Sequence, residues 1–140
     1  MTAALVPDDS TLKAILGDAR TIAVVGLSSK PWRDSFRIAK YLQDHGYRIV
    51  PVNPKETEVL GEQAYPSLLD VPFPSDAVDV FRRSEHTPDI ARQAVAVGAK
   101  VLWLQLDIVN DEARTIAEEA GLDVVMGVCI MVEHHRLEVS

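Results

Sequence analysis

Residues 21–55 read TIAVVGLSSKPWRDSFRIAKYLQDHGYRIVPVNPK. Thr21–Val25 is a short β-branched apolar run, as a buried strand requires. Gly26–Asp34 is a polar loop that opens on glycine. Phe36–His45 carries Ile38, Ala39 and Leu42 on one helical face, with Ser35 or Asp34 placed to cap it. A second apolar strand then ends in Asn53-Pro54-Lys55. Strand, loop, helix and strand in this order form the first half of a nucleotide-binding α/β unit, in which loop amides and the helix N-terminus hold a phosphate.

The same grammar continues outward. An amphipathic stretch, a glycine and an apolar run recur at Gly17, Gly46, Gly98 and Gly121, and glycine suits a helix end because it accepts positive φ. The runs do not alternate polar and apolar residues, which fits parallel strands covered on both faces. A further strand, Ala77–Phe81, follows Pro72-Phe73-Pro74 without a long helix before it. Thr87-Pro88-Asp89 and Asn110-Asp111-Glu112 read as helix starts. Short helices are expected at Asp8–Leu16 and Cys129–His135, and one helical turn at Ser67–Asp70 inside the irregular stretch Glu56–Pro74. Together these predict an α/β fold: a Rossmann-like three-layer αβα sandwich around a five-stranded parallel sheet, in the order 3-2-1-4-5.

With 140 residues, 47% of them hydrophobic and 25% charged, the chain is expected to be one domain over residues 1–140. A net charge of −7 argues against nucleic acid as a partner. No apolar run approaches the ~20 residues of a membrane helix. Met1–Pro7 lacks the basic start and apolar core of a secretion signal. The expected location is cytoplasmic. The single cysteine excludes an intrachain disulfide. A homodimer stays open.

In such a sheet ligands sit beyond the carboxyl ends of the strands. Lys30, Arg33, Lys55, Arg82 and Arg83 all fall in loops at that end, which points to an anionic ligand; pairing with Asp34, Glu56, Glu58 and Glu85 is the competing reading. The first loop lacks the glycines of a dinucleotide fingerprint, having Ser28 and Pro31 in their places. Its Ser28 and Ser29 hydroxyls and the Lys30 charge suit a phosphate instead. A site for NAD wants a carboxylate at the end of the second strand. Asn53-Pro54-Lys55 supplies a cation, which favours a nucleotide with an extra ribose phosphate, NADP or coenzyme A. Three charge-assisted contacts of ~1.5–3 kcal/mol each do not safely exceed an association cost of ~4–15 kcal/mol, so burial of further ligand surface must contribute.

The segments GLSSKPWRDSFRIAKYLQDHGYRIVPVNP, YPSLLDVP, VDVFRRSE, GAKVLWLQLDIVNDEA and VVMGVCIMVEH, in that order, resemble the small single-domain CoA-binding protein family. Its fold is similar to the CoA-binding domain of the succinyl-CoA synthetase α subunit. The resemblance implies that Gly26, Leu27, Ser28, Ser29, Lys30 and Pro31 hold the CoA phosphates and that Lys55 meets the phosphorylated ribose end, with Asn53 and Pro54 counted beside it as cofactor-binding residues. By the same resemblance Val80, Phe81 and Arg82 flank the nucleotide, and Gln105, Leu106 and Asp107 lie beside the pantetheine arm. The chain departs from the family pattern at Asp107, where members often carry glycine, and at Gly127-Val128, where they often carry Asp-Arg.

The resemblance implies binding of CoA or acyl-CoA without catalysis, as a carrier, sensor or adaptor. The phosphohistidine and the ATP-grasp partner of the synthetase lie outside the similar region. Two other readings remain: a small NADP-dependent oxidoreductase with Cys129 or His134 as the reactive group, and an interaction subunit that holds no ligand. Cys129 with Glu133, His134 and His135 could form a nucleophile–base or metal-ligand pair, against a packed cysteine on an apolar turn. His134 and His135 are expected to face solvent, Trp32 to stack on a base or pack at the rim, and Trp103 to lie in the core or an interface.

Overall fold

The computed structural model describes residues 3–139. Among the described residues, seven strands and five α-helices run in the order α1 (Asp9–Asp18), β1 (Thr21–Val25), α2 (Asp34–Asp44), β2 (Arg48–Val52), β3 (Glu58–Val59), β4 (Glu62–Gln63), β5 (Ala77–Val80), α3 (Thr87–Ala96), β6 (Val101–Leu104), α4 (Asp111–Glu119), β7 (Asp123–Met126) and α5 (Ile130–Arg136). Five strands form one parallel sheet in the order β2-β1-β5-β6-β7. The pair β3–β4 is a small antiparallel hairpin that the sequence pattern did not announce.

The three-layer Rossmann-like class is the one expected. Ala77–Val80 pairs with β1, and the place beyond β2 is held by Tyr65 alone. Tyr65 makes a single parallel bridge to Val52, with its N–H donating to the Pro51 carbonyl at 3.0 Å. Counted as a rudimentary third strand, Tyr65 makes the order 3-2-1-4-5-6. On the far side, Leu5 exchanges two 2.9 Å backbone hydrogen bonds with Met126 of β7.

Both faces of the sheet are covered, so its strands are apolar throughout. One core lies under α1, α2 and α5 and includes Leu12, Ile38, Leu42, Trp103 and Ile130. The other lies under α3 and α4, with Ile90, Ala94, Ala113 and Ala117 against Val78, Leu102 and Leu104. Trp103 is a core residue, and its indole N–H donates to the Val128 carbonyl at 2.9 Å.

Helix starts follow the expected residues in part. Asp8 caps α1 through the Thr11 amide at 2.8 Å, and Asn110 caps α4 through the Ala113 amide at 2.8 Å. Neither Ser35 nor Asp34 caps α2, which begins after Arg33 with no side-chain cap. Thr87 sits inside α3 behind a 3-10 turn over Ser84–His86, its hydroxyl donating to the Ser84 carbonyl. Gly17 lies within the last turn of α1, and the helix is closed by Ala19.

Candidate ligand-binding site

Two cavities adjoin at the carboxyl end of the sheet. The larger, about 860 Å³, is lined by the β1–α2 loop from Gly26 to Ser35 and by Asn53, Lys55 and Glu56 after β2. The second, about 410 Å³, runs along α2 between Ile38 and Met131, past Gln105, Leu106 and Asp107. Asp34 and Phe81 line both, so the two chambers meet at those side chains.

Gly26 sets the mouth of the first chamber. Its φ is +90°, a conformation costly for any residue with a Cβ. A Cβ there would also stand 2.8 Å from the Phe81 carbonyl oxygen. Its N–H donates to the Val52 carbonyl at 2.8 Å, tying the end of β1 to the end of β2. Asn53 clamps the two loops together: its side-chain amide donates to the Leu27 carbonyl at 3.1 Å, and its carbonyl oxygen accepts from the Lys55 amide at 3.0 Å. This is the Asx turn expected of asparagine before a proline.

Of the expected residues, Gly26, Ser28, Ser29, Lys30, Asn53, Lys55 and Phe81 line the large chamber. Phe81, Gln105, Leu106 and Asp107 line the second. Pro54 and Arg82 open instead on a third cleft of about 260 Å³ beside α3, with Val52, Leu68 and Ile90. The side chains of Leu27 and Val80 are fully buried in the two cores, and Pro31 is exposed and lines none of these three cavities.

Lys30, Arg33 and Lys55 bring three cations to the large chamber, against Asp34 and Glu56. Asp34 pairs with Arg37 and Arg83 with Glu85. Among the described residues, Lys30, Arg33, Lys55 and Arg82 are in no ion pair, so the acids of these loops do not neutralise them. The first turn of α2, uncapped by any side chain, leaves its amides available beside them.

Three amides of the loop are already engaged by the chain's own side chains. Ser28 N–H donates to the Ser35 hydroxyl at 3.1 Å, Lys30 N–H to the Ser28 hydroxyl at 3.1 Å, and Ser29 N–H to the Glu56 carboxylate at 2.7 Å. Asn53-Pro54-Lys55 holds no carboxylate, as read, but Glu56, the next residue, places one on the β1–α2 loop. The turn from Asn53 to Glu56, closed by a 3.2 Å backbone hydrogen bond, brings that acid back onto the loop.

Behind the second chamber lies a group the sequence reading missed. Asp79, in the middle of β5, is fully buried, one carboxylate oxygen having no hydrogen-bond partner. The Gln105 amide donates to its other oxygen at 3.4 Å, while the Gln105 carbonyl oxygen accepts from the Ile130 amide at 2.9 Å. Burial holds the Asp79 carboxyl protonated far above the ordinary carboxylate range. The folded chain therefore binds more protons at this group than the unfolded chain above pH ~4, and folding stability falls as pH rises. Asp79→Asn removes that dependence. In urea titrations the variant should exceed the parent by about 1–3 kcal/mol at pH ~8 and match it at pH ~4. An equal difference at both would contradict the assignment.

His134 does not face solvent. It is buried between α2 and α5, with Nδ1 2.8 Å from the Tyr41 hydroxyl, and desolvation, aided by His45 and His135, holds its pKa down. It lines neither chamber, whereas the half-buried Cys129 lines the second. Trp32 stands 71% exposed at the rim of the first. Asp107 has φ +66°, which explains why glycine suits that position. Among the described residues, no helix is long and apolar enough to cross a membrane.

The chain is thus a Rossmann-like α/β protein whose parallel sheet carries a glycine-opened, cation-lined loop at its switch point. The model of the CoA binding domain family matches residues 20–135, and the chain belongs to that family. It is 44% identical to the uncharacterized protein YneT of Bacillus subtilis, over 91% of this chain and 95% of that one. A hypothetical protein from Pyrococcus horikoshii has a solved structure that superposes with a TM-score of 0.93 at 44% identity, covering 99% of this chain and 98% of that one. The α subunit of acetate–CoA ligase (ADP-forming) I from Pyrococcus furiosus is 31% identical over 62% of this chain, a match that spans 20% of the subunit.

Proposed function

We propose that this chain binds coenzyme A or acyl-CoA, with the diphosphate at the β1–α2 loop, the phosphorylated ribose at Lys55 and the pantetheine arm along α2. The carrying observation is the pair of adjoining chambers, one cationic and one apolar, that share Phe81 and Asp34. CoA has the matching shape, a polyanionic head with a long thin arm. NADP shares the extra ribose phosphate, but its polar nicotinamide half suits a channel lined by Ile38, Phe81, Leu106 and Met131 less well. The cleft holding Pro54, Leu68 and Arg82 offers an apolar floor for the adenine ring. Burial of ring and arm supplies what charge-assisted contacts alone do not.

The reading is of binding without catalysis, as a carrier, sensor or adaptor. An oxidoreductase reading would use Cys129 or His134 as the reactive group; His134 is sequestered on Tyr41 away from both chambers, whereas Cys129 lines the second.

Titration calorimetry against CoA, dephospho-CoA, NADP and NAD tests the proposal. CoA should bind most tightly. Lys55→Ala should weaken CoA by about 10- to 100-fold and leave dephospho-CoA unchanged. Absence of CoA binding at ~1 mM, a free energy of only about −4 kcal/mol, would remove the reading. Equal affinity for CoA and dephospho-CoA would remove the role of Lys55.

A further inference from the structure

We propose that Glu56 is a resident anion of the phosphate loop, a side chain that competes with the ligand and sets how tightly phosphates are taken up. The inference rests on the reading that this loop receives the diphosphate of CoA. Three observations carry it. The Glu56 carboxylate accepts from the Ser29 amide at 2.7 Å, inside the range of a charge-assisted N–H···O⁻ bond. The residue is aimed there by its own turn, since Glu56 N–H donates to the Asn53 carbonyl at 3.2 Å while Asn53 is anchored to Leu27. The carboxylate also lines the same chamber as Lys30, Arg33 and Lys55.

An amide satisfied by a carboxylate does what a bound phosphate oxygen does: it places negative charge on a donor of the β1–α2 loop. A phosphate arriving at Ser29 must displace Glu56 or sit against its charge, and both lower affinity. The cations stay unpaired while the acid occupies the backbone, so the chamber retains its attraction for anions yet has its Ser29 donor closed by a charged group. The opposite use of the same carboxylate is to accept from ribose hydroxyls, as the acid after the second strand does in NAD proteins. The geometry favours competition, because the carboxylate is committed to the loop amide.

The two uses predict opposite signs. Glu56→Ala, which frees the amide and removes the charge, should bind both CoA and inorganic pyrophosphate about tenfold more tightly than the parent. Glu56→Gln, which keeps an acceptor for Ser29, should gain less. Calorimetry gives the affinities, and the ¹H–¹⁵N resonance of Ser29, shifted in the ligand-free Glu56→Ala protein, should move further on pyrophosphate addition. Unchanged or weaker binding of both ligands overturns the inference, as does failure of pyrophosphate to bind either protein. A gain for pyrophosphate with no CoA binding in any variant leaves Glu56 as the resident anion and removes the CoA reading. Equal CoA and pyrophosphate affinities with and without Glu56 do the reverse.

Discussion

With alanine at position 26 the chain should lose CoA binding at every accessible concentration and unfold in distinctly less urea than the parent. Two independent costs meet at this residue. Its φ of +90° is strained for alanine, by about 1–3 kcal/mol. The added Cβ would stand 2.8 Å from the Phe81 carbonyl oxygen, a backbone atom that cannot rotate away. Relief requires the ends of β1 and β5 to separate, which adds overpacking strain to the conformational cost, for a total of about 2–4 kcal/mol. The functional loss follows from the same movement. Gly26 N–H holds Val52, and Asn53 holds Leu27, so separation shifts Lys30 and Lys55 relative to each other. Urea unfolding and CoA calorimetry on Gly26→Ala measure both. A destabilised variant that still binds CoA with parental affinity would show that the ligand's seat is elsewhere.

Gln105→Leu should cost about 2–5 kcal/mol of folding stability, although leucine is close to glutamine in size. The Gln105 side chain is the hydrogen-bond partner of one Asp79 oxygen and of the Ile130 amide that opens α5. Both are buried, and each orphaned group is worth about 1–3 kcal/mol. Leucine satisfies neither. The Ile130 amide should exchange with solvent faster, and α5 should loosen before the sheet does. Combining Gln105→Leu with Asp79→Val, which removes the stranded carboxyl, should recover part of the loss. A cost under about 1 kcal/mol would mean that the Asp79–Gln105–Ile130 chain contributes no more than ordinary packing.

The sheet was readable because its strands are apolar runs bounded by glycine, as at Thr21–Val25, Val101–Leu104 and Asp123–Met126. The site was readable to the extent that a cationic loop end survives in one dimension: Lys30 and Lys55, 25 positions apart in the chain, do line one chamber. What escaped were contacts made by folding back. Glu56 stands four residues past the second strand, outside the place where an acid is sought, and only the turn at Asn53-Pro54 returns it to Ser29. Asp79 hid inside an apolar run because a strand covered on both faces has no polar side to betray it; the signal was the acid itself within AVDV. Leu27 and Val80 have side chains buried in the core, so any part they take in the site is through their backbone. His134 reads as solvent-facing in the sequence because its partner, Tyr41, lies 93 positions away.

The single-residue bridges at Tyr65 and Leu5 have a consequence for self-association. Each occupies backbone groups along an outer strand, and Pro51 withholds a further donor from β2. A second copy seeking to extend the array of strands would find both flanks partly blocked by the chain's own short segments. Any homodimer of this protein is thereby steered toward contacts through helices or loops, and a continuous sheet shared between two subunits is disfavoured.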